Sequence, residues 1–216
     1  MSKIGLIDVD GHNFPNLALM KLSSWHKREG DSVEWYSGIE HYDRVYMSKV
    51  FAFTPDDLRV IQADEVVKGG SGYKMYDQTL PNEVEHICPD YSLYPMYNDA
   101  YGFLTRGCVN QCSFCIVPRK EGFIRKHADI TEFLSGRQSA TLMDNNVIAS
   151  DWGLNQIEKI ISLNVKVDFN QGLDCRIIAK DKNIAHLLSH VKWKRYLRMA
   201  YDHSAITDEV TTASHI

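Results

Sequence analysis

Three cysteines within one eight-residue stretch constrain this chain more than anything else in its 216 residues. Cys108, Cys112 and Cys115 follow a C-x3-C-x2-C spacing in the segment GFLTRGCVNQCSFCIVPRK, which opens on a strand-like run. Thiols this close together do not make a disulfide framework spread over a chain. Cys88 and Cys175 stand apart from them. The N-terminus, MSKIGLIDVDGHNF, reaches Asp8 and Asp10 too early for the apolar core of a signal peptide. A reducing, cytoplasmic compartment is therefore expected, where clustered cysteines hold metal or do redox work.

A closed structural zinc site wants four ligands, usually from two C-x-x-C knuckles. Only Cys112 and Cys115 form one. Cys88, Cys175 or His127 could complete a zinc site in principle, but none lies at knuckle spacing. Three thiolates on one tight loop suit three corners of a [4Fe-4S] cubane, which leaves the fourth iron open for chemistry. Gly107 before the first cysteine and Phe114 just before the last sharpen that reading.

The rest of the chain predicts an α/β fold in two parts. Lys3 to Val9, Val33 to Tyr36, Arg44 to Phe51 and Glu65 to Lys68 read as strands. Between the first two, Pro15 suits a first helical turn, Ala18, Leu22 and Trp25 make an apolar stripe, and Gly30 a stop. Thr54-Pro55-Asp56-Asp57 looks like a second helix start. Alternating strands and helices imply a parallel sheet, so residues 1–75 are expected to form a small doubly wound domain. Residues 76–100, rich in Tyr and Pro, read as a linker packed over the surface of the second part. From Tyr101 the alternation resumes. Strands are expected at Tyr101 to Thr105, Ala140 to Met143, Val165 to Phe169 and Tyr196 to Ala200. Helices are expected around Ile130 to Leu134, Leu154 to Ile161 and Ile184 to Val191.

With Cys108-x-x-x-Cys112-x-Phe114-Cys115 following a strand and preceding βα units, residues 101–216 resemble the radical S-adenosylmethionine (radical SAM) superfamily. The resemblance implies a partial (β/α) barrel. It also implies a cluster whose open iron chelates S-adenosylmethionine, and reductive cleavage of that cofactor to methionine and a 5′-deoxyadenosyl radical. Cys108, Cys112 and Cys115 would be the metal ligands, with Phe114 beside the adenine or the cluster. Asp144-Asn145-Asn146 stands where the family usually carries a Gly-Gly-Glu-like turn, which puts Asn145 among the cofactor contacts. Gln171, Arg176, Arg198 and Asp202 are assigned as ribose or carboxylate contacts. An electron donor of the flavodoxin or ferredoxin type is implied. The catalytic residues proper and the substrate stay unassigned.

Many members of that superfamily carry a cobalamin-binding doubly wound domain ahead of the barrel, and residues 1–75 are similar in outline. Asp10-Gly11-His12-Asn13-Phe14-Pro15 keeps the Asp and His of the Asp-x-His-x-x-Gly cobalamin motif but has Pro at the glycine place. Gly69-Gly70-Ser71-Gly72 resembles the glycine-rich turn of such domains, although glycine turns commonly serve only to permit positive φ. A substrate-positioning domain is expected in preference to bound cobalamin.

Residues 101–216 hold about four βα units at roughly 31 residues each, fewer than the six typical of the superfamily. The expectation is a truncated barrel with an open edge, available for self-association. A non-catalytic iron–sulfur or zinc module is the alternative to an enzyme.

Arg119, Lys120, Arg125, Lys126, Lys192, Lys194 and Arg195 read first as solvated surface. A phosphate-bearing substrate such as RNA is the sharper alternative. The net charge of −4, from 24 Lys and Arg against 28 Asp and Glu, lacks the global positive field of a dedicated nucleic-acid binder. At 44% hydrophobic residues the chain can build a core, which excludes disorder. No run is long enough to span a membrane.

Overall fold

The computed structural model describes residues 1–215, which divide into two compact units, the second beginning at Asn98. In the first, strands β1 (Lys3–Asp8), β2 (Ser32–Trp35), β3 (Tyr42–Ser48) and β4 (Ala63–Gly69) form a parallel sheet in the order β2-β1-β3-β4. Helix α1 (Leu17–Arg28) makes the β1–β2 crossover. Asn16 caps it, its side chain accepting the Leu19 N–H, and His26, Lys27 and Arg28 complement the dipole of its last turn. Strand β1 is buried on both faces. Ile4 and Leu6 pack with Leu19 and Leu22 of α1. Ile7 packs with Tyr36, Tyr42, Val45 and Met47 on the other side. The order reverses between β1 and β3, so the crevice at their carboxyl ends is where an open parallel sheet binds ligands.

Two expectations change here. No helix forms at Thr54: the β3–β4 connection is irregular. Asp10 accepts the Val50 and Phe51 N–H groups and the Thr54 hydroxyl, so the polar groups that would start a helix are committed to β1's own end. The stretch expected as a linker, 76–100, belongs for the most part to the first unit. It carries α2 (Asn82–Glu85), whose Val84 joins the Ile4–Leu19 core. Tyr94, fully buried, donates its hydroxyl to Asp8 at 2.7 Å, and Asp90 takes Ser23 and Lys27 of α1.

In the second unit the strands are β5 (Ala100–Gly102), β6 (Thr105–Arg106), β7 (Arg125–Lys126), β8 (Ser139–Leu142), β9 (Lys166–Phe169) and β10 (Lys192–Trp193). Four make a parallel sheet in the order β10-β9-β8-β5, while β6 and β7 pair antiparallel. The helices are α3 (Val117–Lys120), α4 (Ile130–Leu134), α5 (Asp151–Ser162), α6 (Cys175–Lys180), α7 (Lys182–Ser189) and α8 (Thr207–Ser214). Ser150 caps α5 by accepting the Gly153 N–H at 3.0 Å. Gly102 lies so close to α4 that an added Cβ would sit 2.6 Å from the Phe133 ring.

The fourth strand of this sheet is Lys192–Trp193, earlier than the expected Tyr196 to Ala200. Met199 keeps only an isolated bridge to Leu173. Trp193 supplies the reason: its ring packs edge-on against Phe169 of β9, which fixes the register there. Register places Tyr101, Thr141 and Asp168 on one sheet face, where Lys194 pairs with Asp99 and Arg198 with Asp168. The basic stretch 192–195 is thus partly neutralised. The whole is an α/β chain, a small parallel-sheet unit followed by a partial barrel. No described helix is long and apolar enough to cross a membrane.

Candidate metal and cofactor site

The cysteine segment hangs as a loop from the β6–β7 pair, beyond the end of β5. Its neck is closed three ways. Thr105 and Arg106 pair with Lys126 and Arg125. Cys108 donates its N–H to the Gly122 carbonyl at 3.2 Å. Glu121 accepts the Gly107 N–H at 3.0 Å and an Arg106 N–H at 3.1 Å. Gly107 has φ +80°, and a Cβ there would lie 2.3 Å from the Phe123 carbonyl oxygen. Both conditions demand glycine.

Cys108, Cys112 and Cys115 are free and half-buried on this loop. Backbone N–H groups of Asn110 and Val117 reach the sulfurs of Cys108 and Cys115, each at 3.4 Å, and the Asn146 side-chain amide reaches the Cys108 sulfur at 3.8 Å. N–H···S contacts of this kind tune the reduction potential of an iron–sulfur cluster. Among the described residues no three His, Cys, Asp or Glu side chains gather around one point as the ligands of a single metal ion would. A cubane is wider, since each thiolate would take a different iron, and of the three sulfurs those of Cys108 and Cys115 have N–H donors. A hollow of about 140 Å³ lies against the loop, lined by Cys108, Asn110, Gln111, Pro118, Gly122 and Phe123.

The strand ends beside the loop form two carboxylate hubs. Asp144, fully buried after β8, accepts the N–H groups of Leu104 and Thr105 and the Thr105 hydroxyl, so it fixes the chain leaving β5. Burial pushes its pKa up to about 6, against the opposing pull of those hydrogen bonds. Asp174, which caps α6, accepts the Asn110 side-chain amide at 3.0 Å, the Asn146 amide at 3.3 Å and a two-pronged contact from Arg176. Burial opposes its ionisation, but Arg176 and Asn110 outweigh that and hold its carboxyl below the usual range. Arg176 in turn has its pKa raised, chiefly by its hydrogen bonds to Asp174.

The structure therefore brings Arg176 to the cysteine loop. Asn145 also borders it, its amide donated to Glu121 at 2.9 Å. Arg198 lies instead with Asp168 (2.6 Å) and Asn170 (3.4 Å) on the sheet. Gln171 and Asp202 stand exposed, with no hydrogen bond among the described residues tying them to the loop, and Phe114 projects 72% exposed. Sequence reasoning placed Asn146 around the loop, as a polar residue at a strand end, but did not single out Glu121, Asp174 or Asn110. Asp174 carried one signal, an Asp at the N-cap of a helix.

In the first unit His12 stacks on Trp35, with ring centroids 4.2 Å apart, and Asp10 is engaged by Val50, Phe51 and Thr54, not by His12. Gly70 and Gly72 are needed for close packing, since a Cβ on either would strike Lys49. These residues do not fit a cobalamin held through an Asp–His pair.

No family model matches the sequence, and no curated protein matches it. Among the solved structures that share its fold are two of one enzyme. One is a radical S-adenosylmethionine methyltransferase, TsrM, from Kitasatospora setae with cobalamin and a [4Fe-4S] cluster bound. It is 11% identical with a TM-score of 0.59, over 89% of this chain and 58% of that one. The other is the same enzyme with tryptophan substrate and the SAM analogue aza-SAM, 13% identical with a TM-score of 0.60, over 93% of this chain and 59% of that one. The chain spans less than two thirds of the length of these structures. The likeness is one of fold.

Proposed function

We propose that the second unit is a radical SAM centre, in which Cys108, Cys112 and Cys115 hold a [4Fe-4S] cluster and S-adenosylmethionine binds at the iron they leave open. The observation that carries this reading is the loop itself: three half-buried thiols beyond a parallel strand, with N–H donors on two sulfurs and a clasped neck. Bound together, cluster and cofactor would supply one-electron reductive cleavage of a sulfonium. The chain's own groups would do the holding. Gly107 and Glu121 keep the loop closed, and Asp144 anchors its root. Asp174 fixes Asn110, Asn146 and Arg176 as a set, leaving the second terminal nitrogen of Arg176 for a carboxylate. Reduction would come from a donor of the flavodoxin or ferredoxin type.

The test is electron paramagnetic resonance on anaerobically reconstituted, dithionite-reduced protein. The expected result is a [4Fe-4S]⁺ signal that changes when S-adenosylmethionine is added. A cluster signal indifferent to the cofactor would favour the non-catalytic module, and retained zinc without iron would overturn the cysteine assignment.

A further inference from the structure

Strand β4 (Ala63–Gly69) ends the first unit's sheet, with β3 on one side and no strand on the other among the described residues. A strand in that position presents a row of backbone N–H and C=O groups without ladder partners. Native edges are blunted by short strands, proline, bulges or charge. β4 runs seven residues, ADEVVKG, without proline, and its charges are of both signs. Asp64, Glu65, Val66 and Lys68 are all exposed, and no helix crosses from β3 to β4 to cover them. Exposed Leu58 and Val60 lead into the strand and add apolar surface.

Side chains alternate across a strand, so Asp64, Val66 and Lys68 share one face. Asp64 and Lys68 stand two residues either side of Val66. When a second copy pairs antiparallel with Val66 opposite Val66, Asp64 of each copy faces Lys68 of the other. Two opposite-charge pairs form at once, on positions where such pairs stabilise a ladder. Glu65 lies on the other face, where Arg44 takes it at 2.6 Å. Neighbouring symmetric registers lose the match. Centring on Asp64, Glu65 or Lys68 sets like charges opposite each other, and centring on Val67 leaves Asp64 and Lys68 apart. Asp64 and Lys68 are also not committed elsewhere. Asp64 meets His41 at 2.8 Å with both side chains in solvent, a weak contact, and Lys68 lies 5.7 Å from the Tyr73 ring. We propose that β4 is a homodimer interface, across which two copies of this chain join antiparallel about Val66 into one continuous sheet. The interface is independent of the cysteine chemistry.

The experiment is sedimentation velocity over a range of protein concentrations, on the wild-type chain, Asp64→Lys and Lys68→Asp, with circular dichroism as the check that each is folded. The wild type is expected to dimerise. Each single variant opposes like charges at both symmetric positions, so its dissociation constant is expected to rise about tenfold. A one-to-one mixture of the two variants sets Lys against Asp at both positions of the mixed pair, and association is expected to return to the wild-type level. A wild type that stays monomeric would overturn the proposal. So would single variants that dimerise as the wild type does, which would mean association through another surface. A mixture that associates no better than its components would overturn the pairing about Val66.

Discussion

The Glu121 carboxylate accepts the backbone N–H of Gly107 at 3.0 Å, from fourteen residues further along the chain and directly beside the first cysteine. Its side chain is only 11% exposed and also takes Arg106 and Asn145. One carboxylate thus joins both ends of the cysteine loop to the end of β8. Glu121→Ala is expected to cost about 2 kcal/mol, since it removes a charged partner of the Arg106 guanidinium and the acceptor of the Gly107 N–H. Urea unfolding of the metal-free protein reads the loss, and iron content after reconstitution should fall with it.

Gly107→Ala tests the same neck from the backbone side. Positive φ costs an L-residue roughly 1–2 kcal/mol, and here the added Cβ also meets the Phe123 carbonyl oxygen at 2.3 Å. The loss should exceed that of an ordinary glycine substitution such as Gly30→Ala, where a Cβ meets nothing within 4 Å at a similar φ of +87°. Equal melting temperatures for the two variants would contradict the close approach.

The five cysteines should separate cleanly. Cys108→Ala, Cys112→Ala and Cys115→Ala are each expected to abolish the site-differentiated cluster. Cys88→Ala and Cys175→Ala, whose thiols lie outside the loop, should load iron as wild type does, as read by iron and sulfide assay.

How much of this was legible in the sequence depends on how far apart the partners lie. Lys3–Asp8, Leu17–Arg28, Asp151–Ser162 and Lys182–Ser189 follow from local apolar periodicity. So does the cysteine spacing, a local pattern on one loop. The failed helix at Thr54 and the early strand at Lys192–Trp193 were decided by partners distant in sequence, Asp10 and Phe169. Glu121 was invisible for the same reason, because a carboxylate after a short helix has no pattern of its own.

Asp144 gives the chain a pH signature. Its folded pKa of about 6 lies above the ordinary 3.8, so the folded state keeps a proton that the unfolded state releases. Its contribution to stability is greatest below pH 4 and declines as pH rises to about 6. The wild type should lose up to about 3 kcal/mol relative to Asp144→Asn across that window, at 1.36 kcal/mol per pKa unit. Parallel denaturant titrations at pH 4.5 and pH 7 would show it, and a constant difference would refute it.

In the first unit, Tyr94→Phe removes one oxygen and leaves Asp8, whose pKa burial already raises, without its hydroxyl donor. The expected cost is about 1–2 kcal/mol in chemical unfolding. No change would mean that residues 76–97 add little to that unit's stability.

The clasped neck of the cysteine loop has a consequence in polymer terms. Bringing the ends of a flexible loop together carries an entropy cost that grows with its length. Here β6–β7, Gly107 and Glu121 meet that cost before any iron arrives. A metal bound there would have only the loop's interior left to order, so less of its binding free energy would go into closing the ring.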